Sequence, residues 1–571
     1  MVRDRSRLSS AVLLCVTATL AAVATGTAQT VPGEVDRVVI VGEGVGLLDT
    51  VLQDNDDFGQ DLDVLGDLDG NGVVDLIVGA EGDDGSVGFE AHSGAVHVLL
   101  MAADGTLVGH NEIDDTDLAE DLVAEDRFGM SVATLGDLDG DGNLEVAVGV
   151  PRDDDGGSDC GAVIVISLDA AGQLVGETKL SNLSGGLGAV LPPGGRFGSA
   201  VEALGDLDGD GIGDLAVGSY NTLAAPAAIG SVRILFLNAD ATVKAQQLIA
   251  PGQGGFSGSA ADQDIFGAGI AALGDVDGDG IGDLAVGAGR HDDFAPGAGA
   301  VWIFFLDTDG TLKGQQLIGG TSGGLQGQLR AEDHFGFDVA GMGDLDGDGI
   351  PDLAVNADED GLAQGAGDQG TVWLLFLNAD GTVKTHRTLG HGLSAYAPPL
   401  APRGLRGGVL GPGDLDGDGH PDLITALRFF SDATPQPYGG RIQLTYLRPG
   451  HWRDLGLGLA GAEGIPSLDG AGLPLAGETV TLALHDVPSG ALALLAVGAT
   501  RVDLPLHGGT LVPSPDLVLG ISVGNLGFSM LQAAWPAGVP DGFSIWLQAW
   551  YADAGGPFGY AASNGVVVTT P

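Results

Sequence analysis

The sequence predicts an all-β protein: a β-propeller, with six blades favoured over seven, followed by a small β-sandwich-like C-terminal domain. Three observations predict it. First, an acidic loop, Asp-Leu-Asp-Gly-Asn/Asp-Gly, starts at Asp67, Asp137, Asp206, Asp344 and Asp414, and as Asp-Val-Asp-Gly-Asp-Gly at Asp275. The intervals are 70, 69, 69, 69 and 70 residues. Second, each period holds about four short, β-branched runs bounded by glycine and polar turns, the texture of strands rather than of helices. A unit of that size repeated head to tail reads as a propeller blade. Third, the repeat stops near residue 450, and from there to residue 571 short alternating runs such as Val480-Thr481-Leu482-Ala483-Leu484 are separated by Gly/Pro turns, as in a sandwich.

Within a period the elements follow in fixed order. A Phe-Gly pair stands nine residues before each of the first five loops, at Phe58-Gly59, Phe128-Gly129, Phe197-Gly198, Phe266-Gly267 and Phe335-Gly336. An Asp/Glu-Leu/Val-Ala/Ile-Val strand follows each of these loops. A Gly-x-Val strand comes next, as at Gly94-Ala95-Val96, Gly161-Ala162-Val163 or Gly299-Ala300-Val301, then a polar turn such as Asn378-Ala379-Asp380-Gly381, then a last apolar run. The sixth unit has Leu405-Arg406 in place of Phe-Gly and runs out after Arg441–Tyr446, about one strand short. The stretch Val38 to Leu52 can supply that strand and close the ring.

The loops present oxygens at positions 1, 3, 5 and 9, with a backbone carbonyl available at 7. In the fourth copy these are Asp275, Asp277, Asp279 and Asp283, and Gly280 at position 6 permits the sharp turn around an ion. The other sets are Asp67, Asp69, Asn71 and Asp75; Asp137, Asp139, Asp141 and Glu145; Asp206, Asp208, Asp210 and Asp214; Asp344, Asp346, Asp348 and Asp352; and Asp414, Asp416, Asp418 and Asp422. All-oxygen ligation selects a hard cation, and a cage made almost wholly by protein favours calcium over magnesium, which keeps its waters. About six Ca2+ ions are expected. An EF-hand is excluded, because position 12 is Val78, Val148, Val217, Val286, Val355 or Thr425 instead of a bidentate Glu, and strands flank the loop instead of helices.

The Phe-Gly pair, acidic loop and Val-Gly-Ala order resembles the FG-GAP repeat of integrin α-subunit β-propellers and their bacterial relatives, over roughly residues 31–450. The resemblance implies structural calcium in the blades, held by the matched aspartates. It also implies extracellular recognition or adhesion, with ligands met mainly by loops on one face.

The ends and the composition are compatible with an exported protein. Residues 1–28 read as a secretory signal, with Arg3, Arg5 and Arg7 ahead of an apolar run from Leu8 to about Ala24, and cleavage after Ala28 with Ala24 as a second choice. No later apolar run is long enough to span a bilayer. The expected domains are therefore the signal (1–28), the propeller (31–450) and the C-terminal all-β domain (451–571). Beyond the signal only Cys160 remains, at a position that Ser93 and Ala298 fill in sister units, so it reads as a small packing residue. The net charge is −56, which argues against nucleic acid as a partner.

For function, no HExxH, Gly-x-Ser-x-Gly or phosphate-binding loop is present, and the acidic pairs are claimed by the loops. The expectation is a non-enzymatic binder of an extracellular protein or polysaccharide. A self-assembling surface or matrix protein is the alternative, and a calcium-dependent extracellular hydrolase or lyase is a second one. The segment His391–Arg406, with Tyr396, Pro398-Pro399, Arg403 and Arg406, is the candidate contact region. His334, in the slot before Phe335, reads as a surface residue.

Overall fold

A computed structural model describes residues 31–570 apart from short stretches, the longest being 85–91, 221–229, 359–369, 391–406, 427–439, 460–465 and 472–478. The described residues are strands and turns with no α-helix, and no helix among them is long and apolar enough to cross a membrane. Two compact units divide the chain, one within residues 35–448 and one mainly within 449–571.

Among the described residues the first unit is a propeller of six four-stranded sheets. Its inner strands are Phe58–Gly66, Val132–Gly136, Ala200–Gly205, Ile270–Gly274, Phe335–Gly343 and Val409–Leu410. Each packs beside the next, and the last packs beside the first, so the ring is closed. In blades 1 to 5 the strands follow one another from the centre outward. Blade 6 is completed from the other end of the unit, because Val31–Gly42 pairs outside Arg441–Gly450. The closing strand thus lies mostly N-terminal to the 38–52 stretch expected from sequence. Its only overlap is the run Val38–Gly42, and Gly42 marks the end of the strand.

Burial explains the residue pattern across a blade. The second strands, such as Asp75–Ala80 and Asp283–Ala288, are buried at every position because sheet neighbours and adjacent blades cover them on both sides. The outer strands, such as Leu107–Ile113, are only partly covered and carry polar residues.

The Phe-Gly pair is the joint between blades. Phe58, Phe128, Phe197, Phe266 and Phe335 are fully buried. Each sits in a core shared by two blades: Phe128, for example, joins Ile77, Val96 and Val98 of blade 1 to Val146 and Val148 of blade 2. Phe58 does the same between Ile424, Ile442 and Leu444 of blade 6 and Leu76 and Val78 of blade 1. The backbone N–H groups of Phe128, Phe197 and Phe335 donate to the carbonyls of Ser93, Cys160 and Ala298 in the preceding blade, at 2.8, 3.1 and 3.0 Å. Those three residues are buried, which explains why the position admits only small side chains. Gly129 shows why glycine follows the Phe: its φ is +87°, and a Cβ would lie 2.2 Å from the Ala95 carbonyl oxygen.

The second unit holds a sheet in the order Trp452–Asp454, Val566–Thr569, Ser544–Ala552, Leu492–Gly498 and Leu517–Ser522, with Tyr560–Ala562 also on Ser544–Ala552. A three-stranded sheet of Ser467–Ala471, Thr479–His485 and Ser529–Ala534 accompanies it. Leu468 and Leu484 of the smaller sheet share one core with Leu495, Ala549, Tyr551 and Val568 of the larger, which makes the unit a sandwich. Trp535 and Trp550 are buried, and the Trp550 indole N–H donates to Gln548 Oε1 at 2.9 Å.

Candidate metal sites

Each acidic loop joins the inner strand of a blade to its second strand. In blade 4, Asp275 folds back over the loop that it starts. Its Oδ1 accepts the N–H groups of Gly278 (2.7 Å) and Asp279 (3.0 Å), and its Oδ2 accepts that of Gly280 (2.8 Å). Asp279 Oδ1 in turn accepts the N–H of Ile281 at 2.9 Å. Gly278 and Gly280 have φ of +79° and +91°, and a Cβ at either would meet nothing within 4 Å. The turn itself, not crowding, requires glycine there.

Position 9 lies within one residue of the start of the second strand and is buried in every blade. Asp75, Glu145, Asp214, Asp283, Asp352 and Asp422 each accept the N–H of the residue at position 2, at 2.7–3.0 Å. In all but Glu145 the other oxygen accepts an N–H from the third strand, that of Met101, Leu237, Leu306, Leu377 or Leu447. This carboxylate ties the loop to the sheet, a role that sequence spacing did not reveal. Burial pushes the carboxyls of Asp214 and Asp283 up to about 6 and that of Asp352 up to about 7. A carboxylate so placed is stabilised by a nearby cation.

In five loops the structure brings three ligand residues together, with one carboxylate oxygen from each within 4.8 Å of the others. In blades 1 and 2 these are positions 1, 3 and 9: Asp67, Asp69 and Asp75, and Asp137, Asp139 and Glu145. In blades 3, 4 and 5 they are positions 1, 3 and 5: Asp206, Asp208 and Asp210; Asp275, Asp277 and Asp279; and Asp344, Asp346 and Asp348. Of the remaining expected ligands, Asn71 Oδ1 accepts the N–H of Val73, and Asp141 Oδ1 that of Asn143. In the sixth loop Asp414 and Asp422 are described, whereas Asp416 and Asp418 lie outside the described residues. An all-oxygen, mostly exposed carboxylate set with one buried member at its base fits a hard divalent cation.

Around the propeller axis the inner strands line a cavity of about 550 Å³. Asp61 and Asp63 of blade 1, Glu202 of blade 3 and Asp338 of blade 5 are among its lining residues. Each accepts a backbone N–H from the next blade: Val132 and Thr134 at 2.9 and 2.6 Å, Ala272 at 2.8 Å and Val409 at 2.7 Å. Burial raises all four carboxyls, those of Asp63 and Asp338 to about 6. Of its other lining residues, Arg127 Nη1 pairs with Glu81 Oε2 at 3.2 Å, and the Tyr220 hydroxyl accepts from Arg196 Nη1 at 3.0 Å. His334 corrects the sequence expectation: it is buried, with Nδ1 2.9 Å from Asp358 Oδ1. The expected contact segment, His391–Arg406, lies outside the described residues.

The ring and its loops define a β-propeller in which an acidic, cation-compatible turn joins the first two strands of each blade. The FG-GAP repeat model matches residues 128–166 and 266–304, and the FG-GAP-like repeat model matches residues 344–425. The chain is similar to "Integrin alpha-PS2" of Drosophila melanogaster, 31% identical over 259 residues, which is 43% of this chain and 16% of that one. It is also similar to "Integrin alpha-3" of Cricetulus griseus (31% over 215 residues; 38% of this chain, 18% of the relative). A third relative is "Integrin alpha-PS5" of Drosophila melanogaster (35% over 183 residues; 31% and 16%). The matched stretch spans less than a fifth of each of these relatives. Over part of its length the chain thus carries FG-GAP repeats and is similar to proteins named integrin α.

Proposed function

We propose that this chain is an exported, calcium-binding propeller that acts in extracellular recognition or adhesion, toward a protein or polysaccharide ligand, and that its calcium is structural and not catalytic. The observation that carries this reading is the same acidic turn at the same place in blade after blade, with three carboxylates converging in each of five loops. The ligands are the position 1, 3, 5 and 9 residues of the six loops, and about six Ca2+ ions are expected. Affinities on the order of 10⁻⁴–10⁻³ M would suit a calcium-rich exterior. Similarity to proteins named integrin α supports the recognition role. On this reading residues 1–28 are the export signal, 31–450 the propeller and 451–571 the sandwich domain. The protein is not an enzyme: its loop carboxylates hold cations, and those facing the central cavity join blades.

The test is binding of the mature chain to arrayed polysaccharides and surface proteins, in calcium and in chelator. A hit that requires calcium supports recognition and gives the ligand class. No hit on any surface, together with calcium-dependent polymers, would replace the reading with a self-assembling matrix protein.

A further inference from the structure

Resting on the calcium reading above, we infer that the loops fall into two affinity classes, because those of blades 3, 4 and 5 carry their own competing cation. Lys244 Nζ lies 2.8 Å from Asp208 and also contacts Asp210. Lys313 Nζ lies 3.3 Å from Asp277 and contacts Asp279. Lys384 Nζ lies 2.5 Å from Asp346 and contacts Asp348. In each case the ammonium rests on positions 3 and 5 of the loop in its own blade.

The lysines occupy one structural slot. Val243, Leu312 and Val383 open the outer strands opposite Leu237, Leu306 and Leu377, and each lysine is the next residue. In blades 1 and 2 the same register places Leu107 opposite Met101 and Leu174 opposite Leu168, so the slot holds Val108 and Val175. Both valines are more than half exposed, which burial does not explain.

The loops differ accordingly. With lysine present, positions 1, 3 and 5 converge; without it, positions 1, 3 and 9 do. In the lysine-free loops a neutral amide takes the donor's place. Asn71 Nδ2 donates to Asp69 Oδ2 at 3.1 Å, and Asn143 Nδ2 to Asp141 Oδ2 at 2.9 Å. A lysine has a compact charge on a flexible stem, so it can neutralise the turn without calcium and swing out when calcium enters. Blades 3 to 5 would then keep their shape at low calcium and bind the ion more weakly. Blades 1 and 2 would bind it more tightly and depend on it more.

Calcium titration of the mature chain by calorimetry tests this. Two opposite substitution sets hold the loop ligands fixed: Lys244→Met/Lys313→Met/Lys384→Met, and Val108→Lys/Val175→Lys. The lysine contacts are largely solvent-screened, so the expected change is about two- to fivefold in Kd per affected site. The methionine set should tighten three sites and the lysine set should weaken two. Lys313→Met alone should tighten one, and it serves if the triple variant folds poorly. Unchanged isotherms, or weaker binding in the methionine set, would overturn the inference and leave the calcium reading standing. No calcium binding by the wild-type chain would overturn both.

Discussion

Thr134 of blade 2 donates its backbone N–H to Asp63 of blade 1, 2.6 Å away across the boundary between the blades. Asp61, Glu202 and Asp338 make the same kind of bridge, so acidic residues on blades 1, 3 and 5 satisfy inner-strand groups that no neighbouring strand pairs. These joints carry an electrostatic cost. Burial, with mutual repulsion at Asp61 and Glu202, raises their carboxyls above the ordinary range.

The sign of the resulting pH dependence follows directly. A carboxyl raised in the folded state binds more protons there than in the unfolded chain, so stability falls as pH rises from the unfolded value toward the folded one. For Asp63 and Asp338 that window runs from 3.8 to about 6. Asp63→Asn keeps an acceptor for Thr134 and removes the charge. At pH 7.5 it should stabilise the protein by about 1–2 kcal/mol, the full shift being discounted for partial solvent access. The gain should vanish near pH 3.5. Melting curves across pH, at fixed saturating calcium, check both points.

Gly129 and Gly140 have similar positive φ, +87° and +78°, in different surroundings. A Cβ on Gly129 would strike the Ala95 carbonyl in the blade joint, whereas one on Gly140, in the acidic loop, meets nothing within 4 Å. Gly140→Ala should therefore cost about 1 kcal/mol from backbone strain alone, and Gly129→Ala at least about 2–3 kcal/mol. Denaturant midpoints in calcium would show the difference, and equal midpoints would refute the joint.

Asp277 and Asp283 belong to one loop but should fail differently. Asp283 is buried and holds the N–H groups of Val276 and Leu306, so Asp283→Ala leaves two buried donors unpaired. It should lower stability by about 2–4 kcal/mol even in chelator. Asp277→Ala should lose one ion and change the chelated protein little. Ion counts and melting curves of both variants, with and without chelator, separate the roles.

The strand Val31–Gly42 closes blade 6, with Val41 buried in the core that it shares with blade 1. A chain beginning at residue 43 would expose the edge of Arg441–Gly450 and leave that core open. It should melt lower and aggregate, and size-exclusion chromatography beside the mature chain would reveal it.

Much of this was legible in the sequence because the repeat forces it. The period, Phe58-Gly59 and its successors, and Asp275-Val276-Asp277 fix blade, joint and turn locally. The closing strand was legible only in kind: that one was missing could be read from Tyr446, but its register depends on pairing across some 400 residues. The lysines were not legible, since Lys313 and Asp279 lie 34 residues apart and meet only when the outer strand folds back over the loop. Nor were Asp61, Glu202 and Asp338, whose meaning arises once the ring places them around one cavity. His334 was misread because its slot holds Asp57 and Arg127 in other blades, whereas in blade 5 Asp358 draws it inward.

On the calcium reading, ions in the acidic loops brace each blade from within, tying its first two strands together. The most direct measurement is thermal melting of the mature chain with bound calcium counted in parallel, first in millimolar calcium and then in excess chelator. About six ions are expected, with a fall in Tm when they are removed, because the converging carboxylates then repel one another, most in blades 1 and 2 where no lysine neutralises them. No bound calcium, or the same Tm in chelator, would contradict it.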